Sequence, residues 1–189
     1  MSWFFSGLGE FRFKHWLDKN ADEFLVEVGV RTGLAVLDFG CGSGNYVVPA
    51  ANLVGEAGRV YALDISRGAL DRVEKKAKEE GLENIVQIDA SVDEGIRLED
   101  GTIDLMLMID VLQEIDDKVA LLDEAYRILK PGGALTIYPM HVTEKFVKRQ
   151  TSTIGFNLKD RKFQRRILAF WKEPNHIWGQ RPQGVTPNG

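Results

Sequence analysis

A single cysteine, Cys41, stands in the 189 residues, so the chain closes no disulfide within itself and a disulfide-stapled secreted scaffold is excluded. A long uncharged apolar run is also missing. The strongest candidate, "IDLMLMIDVLQEI", is broken by Asp104, Asp110 and Glu114, whereas a membrane span needs roughly 18 to 20 apolar residues. The opening "MSWFFSGLGEFRFKHW" lacks the basic n-region and long apolar h-region of a secretory signal. A cytoplasmic location and no membrane span are therefore expected.

Hydrophobic residues make up 44% and charged residues 28% of the chain, the usage of a soluble globular protein. Its length suits one domain with a real core. The net charge of -4 hides an asymmetry: acidic residues dominate up to Val142, and basic ones dominate from Thr143 onward. That basic strip reads either as protection of an edge strand by Lys and Arg or as a docking strip for an anionic partner.

Strand and helix patterns alternate along the chain. "LAVLDFG" is a short apolar run, and "NYVVPAANLVG" has helical spacing that stops at Gly55. "RVYALDIS" reads as a second strand and "RGALDRVEKKAKEEG" as an amphipathic helix burying Leu70, Val73 and Ala77, with Gly81 as its stop. "NIVQIDA" is a third strand, and "IDLMLMID" a fourth, apolar enough to be covered on both faces. "DKVALLDEAYRILKPGG" predicts a helix presenting Val119, Leu122, Ala125, Ile128 and Leu129, closed by Lys130, Pro131 and Gly132, before the strand "ALTIYPMH". Beyond it come a helix over "VTEKFVKRQTSTIG" and two strands, "FNLKDRKFQ" and "RRILAFWKE", paired antiparallel at one edge. The expectation is an α/β fold with a mostly parallel, doubly wound sheet, whose ligand binds at the carboxyl ends of the strands. Residues 1–172 are expected to form one domain, residues 1–30 of it an aromatic-rich helical segment and residues 173–189 a loose tail.

The stretch "VLDFGCGSGNYV" holds Gly40, Gly42 and Gly44 after an apolar run, with Asp38 two places before the first glycine. A dinucleotide fingerprint needs its third glycine at 45, where Asn45 stands, and no Gly-Lys-Ser/Thr follows, which excludes a phosphate-binding P-loop. Glycines at a strand end admit a ligand close to the backbone, and free N–H groups at the next helix favour an anionic group such as a carboxylate. The second strand ends in Asp64, suited to accept from both hydroxyls of a ribose. The third ends in Asp89 and Ala90, suited to an adenine amino group and ring edge. Three successive strand ends thus offer parts of one adenosine-bearing ligand.

Through "VLDFGCGSG", "VYALDIS", "IVQIDAS", "IDLMLMIDVLQEI" and "EAYRILKPGGALTI", roughly residues 30 to 142, the chain resembles the class I S-adenosylmethionine-dependent methyltransferases, and within them the ubiquinone/menaquinone biosynthesis branch. The resemblance implies a Rossmann-like, seven-stranded sheet with an antiparallel C-terminal edge hairpin, and S-adenosyl-L-methionine as cofactor. Gly40, Gly42 and Gly44 would cradle its methionine part above Asp38, and Asp64 would hold the ribose. Ile65 would pack on the adenine, Asp89 and Ala90 would read its edge, and Ile109 would line the sulfonium end. Relatives often carry His where this chain has Gln113, and the N/D-P-P-Y/F signature of amine and amide methylation is missing.

The implied acceptor is a small, largely apolar molecule in preference to nucleic acid; the alternative readings are an RNA methyltransferase and a non-catalytic S-adenosylmethionine-binding or scaffold protein. His141, after the fifth strand, is the candidate general base, its alternative being a polar loop residue. Trp3, Phe4, Phe5, Phe11, Phe13 and Trp16 crowd the first sixteen residues; they would wall the acceptor site, cover the core or form a homodimer contact. Cys41 reads as packing.

Overall fold

A computed structural model describes residues 3–90 and 96–174. Two helices, α1 (Trp3–Lys19) and α2 (Ala21–Val28), precede β1 (Ala35–Phe39), α3 (Val47–Val54), β2 (Arg59–Asp64), α4 (Arg67–Glu80) and β3 (Ile85–Asp89). Then follow β4 (Ile103–Ile109), a short 3-10 turn at Leu112–Glu114, α5 (Lys118–Ile128), β5 (Leu129–Tyr138), α6 (Glu144–Ile154), β6 (Phe156–Lys162) and β7 (Ile167–Lys172). The side chains of Trp3, Phe4 and Phe5 and the tail from residue 175 onward lie outside the described residues.

One seven-stranded sheet runs in the order β3-β2-β1-β4-β5-β7-β6. The first five strands pair in parallel, and β7 pairs antiparallel with both β5 and β6. The late hairpin thus carries β7 inside the sheet and leaves β6 outermost. The order reverses between β1 and β4, which opens the crevice where ligands of such sheets bind.

Alternation along the strands supplies two cores. Val36, Val60, Ala62, Leu105 and Leu107 face α2, α3 and α4, meeting Phe24, Ala50, Leu70 and Val73. Leu37, Met106, Met108, Leu135 and Ile137 face α5 and α6, meeting Leu122, Ala125, Tyr126 and Val147. Leu70, Val73 and Ala77 are buried on α4 as their spacing requires, and Gly81 ends that helix at φ +66°. Ser66 opens it by accepting the Ala69 N–H at 3.3 Å.

Two features depart from the sequence reading. The helix before β5 stops at Ile128, not at Lys130–Gly132, because Leu129 already has extended dihedrals. Leu129 pairs with Ile103, and the next pair is Leu105 with Ala134, so Lys130, Pro131, Gly132 and Gly133 form a bulge within β5. Pro131 is tolerated there because it precedes the segment that pairs with β7. Val119 is 39% exposed; the buried face of α5 runs through Leu121, Leu122, Ala125, Tyr126 and Ile128, and Val119 falls at its margin.

Candidate functional site

The glycine stretch folds as a tight loop between β1 and α3. The Gly40 and Cys41 N–H groups both donate to the Leu63 carbonyl, at 2.8 and 3.0 Å, and Gly44 N–H donates to the Cys41 carbonyl at 2.9 Å. All three glycines have left-handed dihedrals, φ +76°, +53° and +78°. They differ in surroundings. A Cβ at Gly40 would meet Val111 Cγ2 at 2.6 Å, and one at Gly44 would meet Val73 Cγ2 at 2.9 Å, whereas one at Gly42 meets nothing within 4 Å. Gly40 and Gly44 are therefore glycine for packing and backbone together. Gly42 presents bare backbone to open space.

Asp38 lies below this loop, 2% exposed, with Oδ2 buried and unpartnered. Burial pushes its carboxyl up to about 7, opposed by the positive charge of Lys14 and reinforced by the negative charge of Asp64. Lys14 belongs to α1, where its ammonium holds Asp18 at 2.7 and 2.9 Å. The Tyr46 hydroxyl, at the start of α3, donates to the same Asp18 at 2.8 Å. In this way α1 is tied across the glycine loop. Cys41 is buried, and burial pushes its thiol up to about 12, which removes it as a nucleophile.

Asp64 shapes the loop. Its Oδ2 accepts the Gly42 N–H and its Oδ1 the Ser66 N–H, each at 2.8 Å. A carboxylate has about four lone-pair sites, so hydroxyl donors still find acceptors there. Ile65 follows at 74% exposure, an apolar side chain standing free. Asp89 pairs in register with Asp64 and lies 3.9 Å from the Arg67 guanidinium. The Ala90 N–H is already given to the Asp64 carbonyl at 3.0 Å, which leaves its carbonyl and methyl group to meet a ring edge. Ile109 is 5% exposed; its successor Asp110 keeps more surface at the end of β4.

On the other side of the crevice, α1 reaches the end of β5. Phe13 meets Tyr138 edge-on, with ring centroids 5.3 Å apart, and the Tyr138 hydroxyl donates to the Glu10 carbonyl at 3.3 Å. His141 Nδ1 lies 3.7 Å from Glu10 Oε2, with its side chain 59% exposed. Phe163, from the turn between β6 and β7, packs among Phe13, Trp16 and Phe24. Arg166 from the same turn donates to the Gly9 carbonyl at 2.8 Å and covers the Phe13 ring at 4.9 Å. A surface hollow of ≈ 520 Å³ lined by Asp22, Glu23, Val26, Glu27 and Phe163 lies away from the glycine loop.

The structure brings Asp38, the three glycines, Asp64, Asp89 and Ala90 together at the carboxyl ends of adjacent strands, and it sets His141 at the rim. Lys14, Asp18, Tyr46 and Glu10 escaped the sequence reading. Only the four-residue spacing of Lys14 and Asp18 carries a trace of their pairing. Among the described residues no group of three or more His, Cys, Asp or Glu could hold a metal ion, and no helix is long and apolar enough to cross a membrane.

Residues 31–173 match the family described as methyltransferase domain. A demethylmenaquinone methyltransferase of Anoxybacillus flavithermus is 29% identical over 147 residues, 78% of this chain and 58% of that protein. A ubiquinone/menaquinone biosynthesis C-methyltransferase of Klebsiella pneumoniae is 35% identical over 109 residues, 58% of this chain and 43% of that protein. The chain spans about half the length of such curated relatives. In fold, a crystal structure of a SAM-dependent methyltransferase from Aquifex aeolicus superposes with a TM-score of 0.72 at 24% identity, covering 82% of this chain and 90% of that one.

Proposed function

Because the chain belongs to the methyltransferase-domain family, we propose that it moves a methyl group from S-adenosyl-L-methionine to a small, largely apolar acceptor. The observation that carries this reading is the unpartnered, buried Oδ2 of Asp38 beneath the bare backbone of Gly42. A carboxylate held out of water calls for a cationic partner, and the cofactor's α-ammonium has the charge and the size to supply one. The other groups fit the rest of that molecule: Gly40, Gly42 and Gly44 around the amino-acid part, Asp64 for the ribose, Ile65 against the adenine face, Asp89 and Ala90 at its edge, and Ile109 beneath the sulfonium end.

When bound, the cofactor supplies a methyl group on a positively charged sulfur that is already a good leaving group. The chain's task is then to orient an acceptor in line with that methyl and to keep water out, and such positioning is worth roughly 7 to 11 kcal/mol. Phe13, Trp16, Tyr138 and Phe163 form an aromatic wall suited to an apolar ring. The relatives named above carry quinones in their names, and a reduced quinone-like ring is the acceptor proposed for this wall. His141 with Glu10 is the acid–base pair proposed for the rim, where it exchanges a proton with solvent.

Residues 1–172 acting as one domain, a cytoplasmic setting and a homodimer that closes the acceptor side belong to the same proposal. Phe11, 68% exposed on α1, supports the last. Isothermal titration tests the cofactor: S-adenosylhomocysteine should bind and NAD should not. Tight NAD binding without an S-adenosylhomocysteine signal sinks the reading.

A further inference from the structure

We propose that Asp110 is the group that takes the proton from the methyl acceptor. The assignment rests on the methyl-transfer reading above and supplies a base inside the crevice, whereas the His141–Glu10 pair at its rim exchanges protons with solvent. Asp110 ends β4 at φ +58°, a left-handed backbone in a residue other than glycine. Its N–H donates to the Tyr138 carbonyl at 3.3 Å, which ties the turn to the end of β5. Gln113 Nε2 donates to Oδ1 at 2.8 Å, so one carboxylate oxygen is fixed and the other is left for a ligand. Among the described residues no lysine or arginine pairs with Asp110, and Lys14 is engaged by Asp18.

Its neighbours locate it at the centre of the crevice. The next residue, Val111, packs against Gly40 so closely that a Cβ there would lie 2.6 Å from Cγ2, which puts Asp110 beside the glycine loop. Two tyrosines register its charge. Burial first, then Asp18 and more weakly Asp38 and Asp110, raise the Tyr46 hydroxyl; burial first, then Glu10 and more weakly Asp110, raise that of Tyr138. The carboxylate therefore stands between the start of α3 and the end of β5, near both the cofactor loop and the aromatic wall. His141, 59% exposed, is an outer group by comparison.

In the step this permits, the acceptor's carbon, oxygen or nitrogen gives its electron pair to the methyl carbon. The carbon–sulfur bond breaks with its pair kept by sulfur, which becomes a neutral thioether, and the acceptor's proton passes to Asp110 Oδ2 and on to water. A positioned base of this type contributes about 10²- to 10⁴-fold. The raised backbone strain at a residue with a free carboxylate oxygen is consistent with a position kept for chemistry.

The test is Asp110→Asn, which preserves the Gln113 hydrogen bond and tolerates left-handed dihedrals. Methyl transfer from labelled S-adenosylmethionine is measured with two probes, 1,4-naphthalenediol and the organic-solvent extract of cells. The variant should lose about 10²- to 10⁴-fold in kcat, while its affinity for S-adenosylhomocysteine stays within about twofold. Asp110→Glu should recover part of the loss, and His141→Ala should lose less than Asp110→Asn. Activity retained by Asp110→Asn, a matching loss of S-adenosylhomocysteine affinity, or a larger loss in His141→Ala each overturns the assignment. So does a wild-type protein that binds S-adenosylhomocysteine yet methylates neither probe; one that binds no S-adenosylhomocysteine overturns the methyl-transfer reading itself.

Discussion

At Asp38 burial and ligand chemistry pull in opposite directions. Burial holds the carboxyl protonated up to about 7, against 3.8 for the ordinary group. Between those values the folded chain keeps a proton that the unfolded chain has released, so Asp38 costs stability increasingly as pH rises through this window, with the full cost above 7. A bound ammonium favours the ionised form and releases that proton. Cofactor affinity should therefore rise about tenfold from pH 6 to pH 8 and lose this rise in Asp38→Asn; titration at the two pH values checks it, and a flat wild-type profile refutes it. Asp64→Ala should weaken S-adenosylhomocysteine binding by about 1–3 kcal/mol, since it removes the proposed ribose acceptors and also frees the Gly42 and Ser66 N–H groups. Wild-type affinity in that variant, with an unchanged circular dichroism spectrum, leaves Asp64 as a surface carboxylate only.

Within the loop between β1 and α3, three glycines of one conformation have different consequences. Gly42→Ala should cost about 1–2 kcal/mol for the left-handed backbone alone. Gly40→Ala should cost about 1–3 kcal/mol more, because Val111 has to move. Thermal denaturation ranks the two, and equal losses contradict the geometry. Elements of this type were legible because each is written in short-range pattern: apolar runs for β1 to β4, a Gly81 stop for α4, a terminal carboxylate on each of β2 and β3. The end of α5 was not. Lys130, Pro131 and Gly132 spell a helix stop, yet they form a bulge inside β5, because the register with β4 is settled by a partner strand rather than by local sequence. The Tyr46–Asp18 contact and the Asp110 turn were hidden for the same reason: each joins residues far apart in the chain that meet only in the completed fold.

At the scale of the whole molecule, part of the basic strip is engaged within the chain, Arg166 and Lys172 by backbone carbonyls and Lys162 and Arg161 by carboxylates. Lys162 holds Glu27 at 2.7 Å and Asp160 at 3.4 Å, and Arg161 holds Glu144 at 2.8 Å. Such charges on the outermost strand β6 suit edge protection better than phosphate binding. Total RNA should accordingly show no saturable binding at moderate salt; saturable binding at low salt that weakens steeply with salt and is lost on neutralising Lys162, Arg165 and Arg166 reverses that conclusion. The turn between β6 and β7 has another consequence. Phe163 and Arg166 grip α1 across 157 positions of chain in the case of Arg166 and Gly9, while the glycine loop lies between them in sequence. For inheritance and shuffling, the two distant segments are one cassette: a chimera that exchanges the first helix alone mismatches its grip, whereas one that exchanges helix and turn together keeps the grip and leaves the glycine loop untouched.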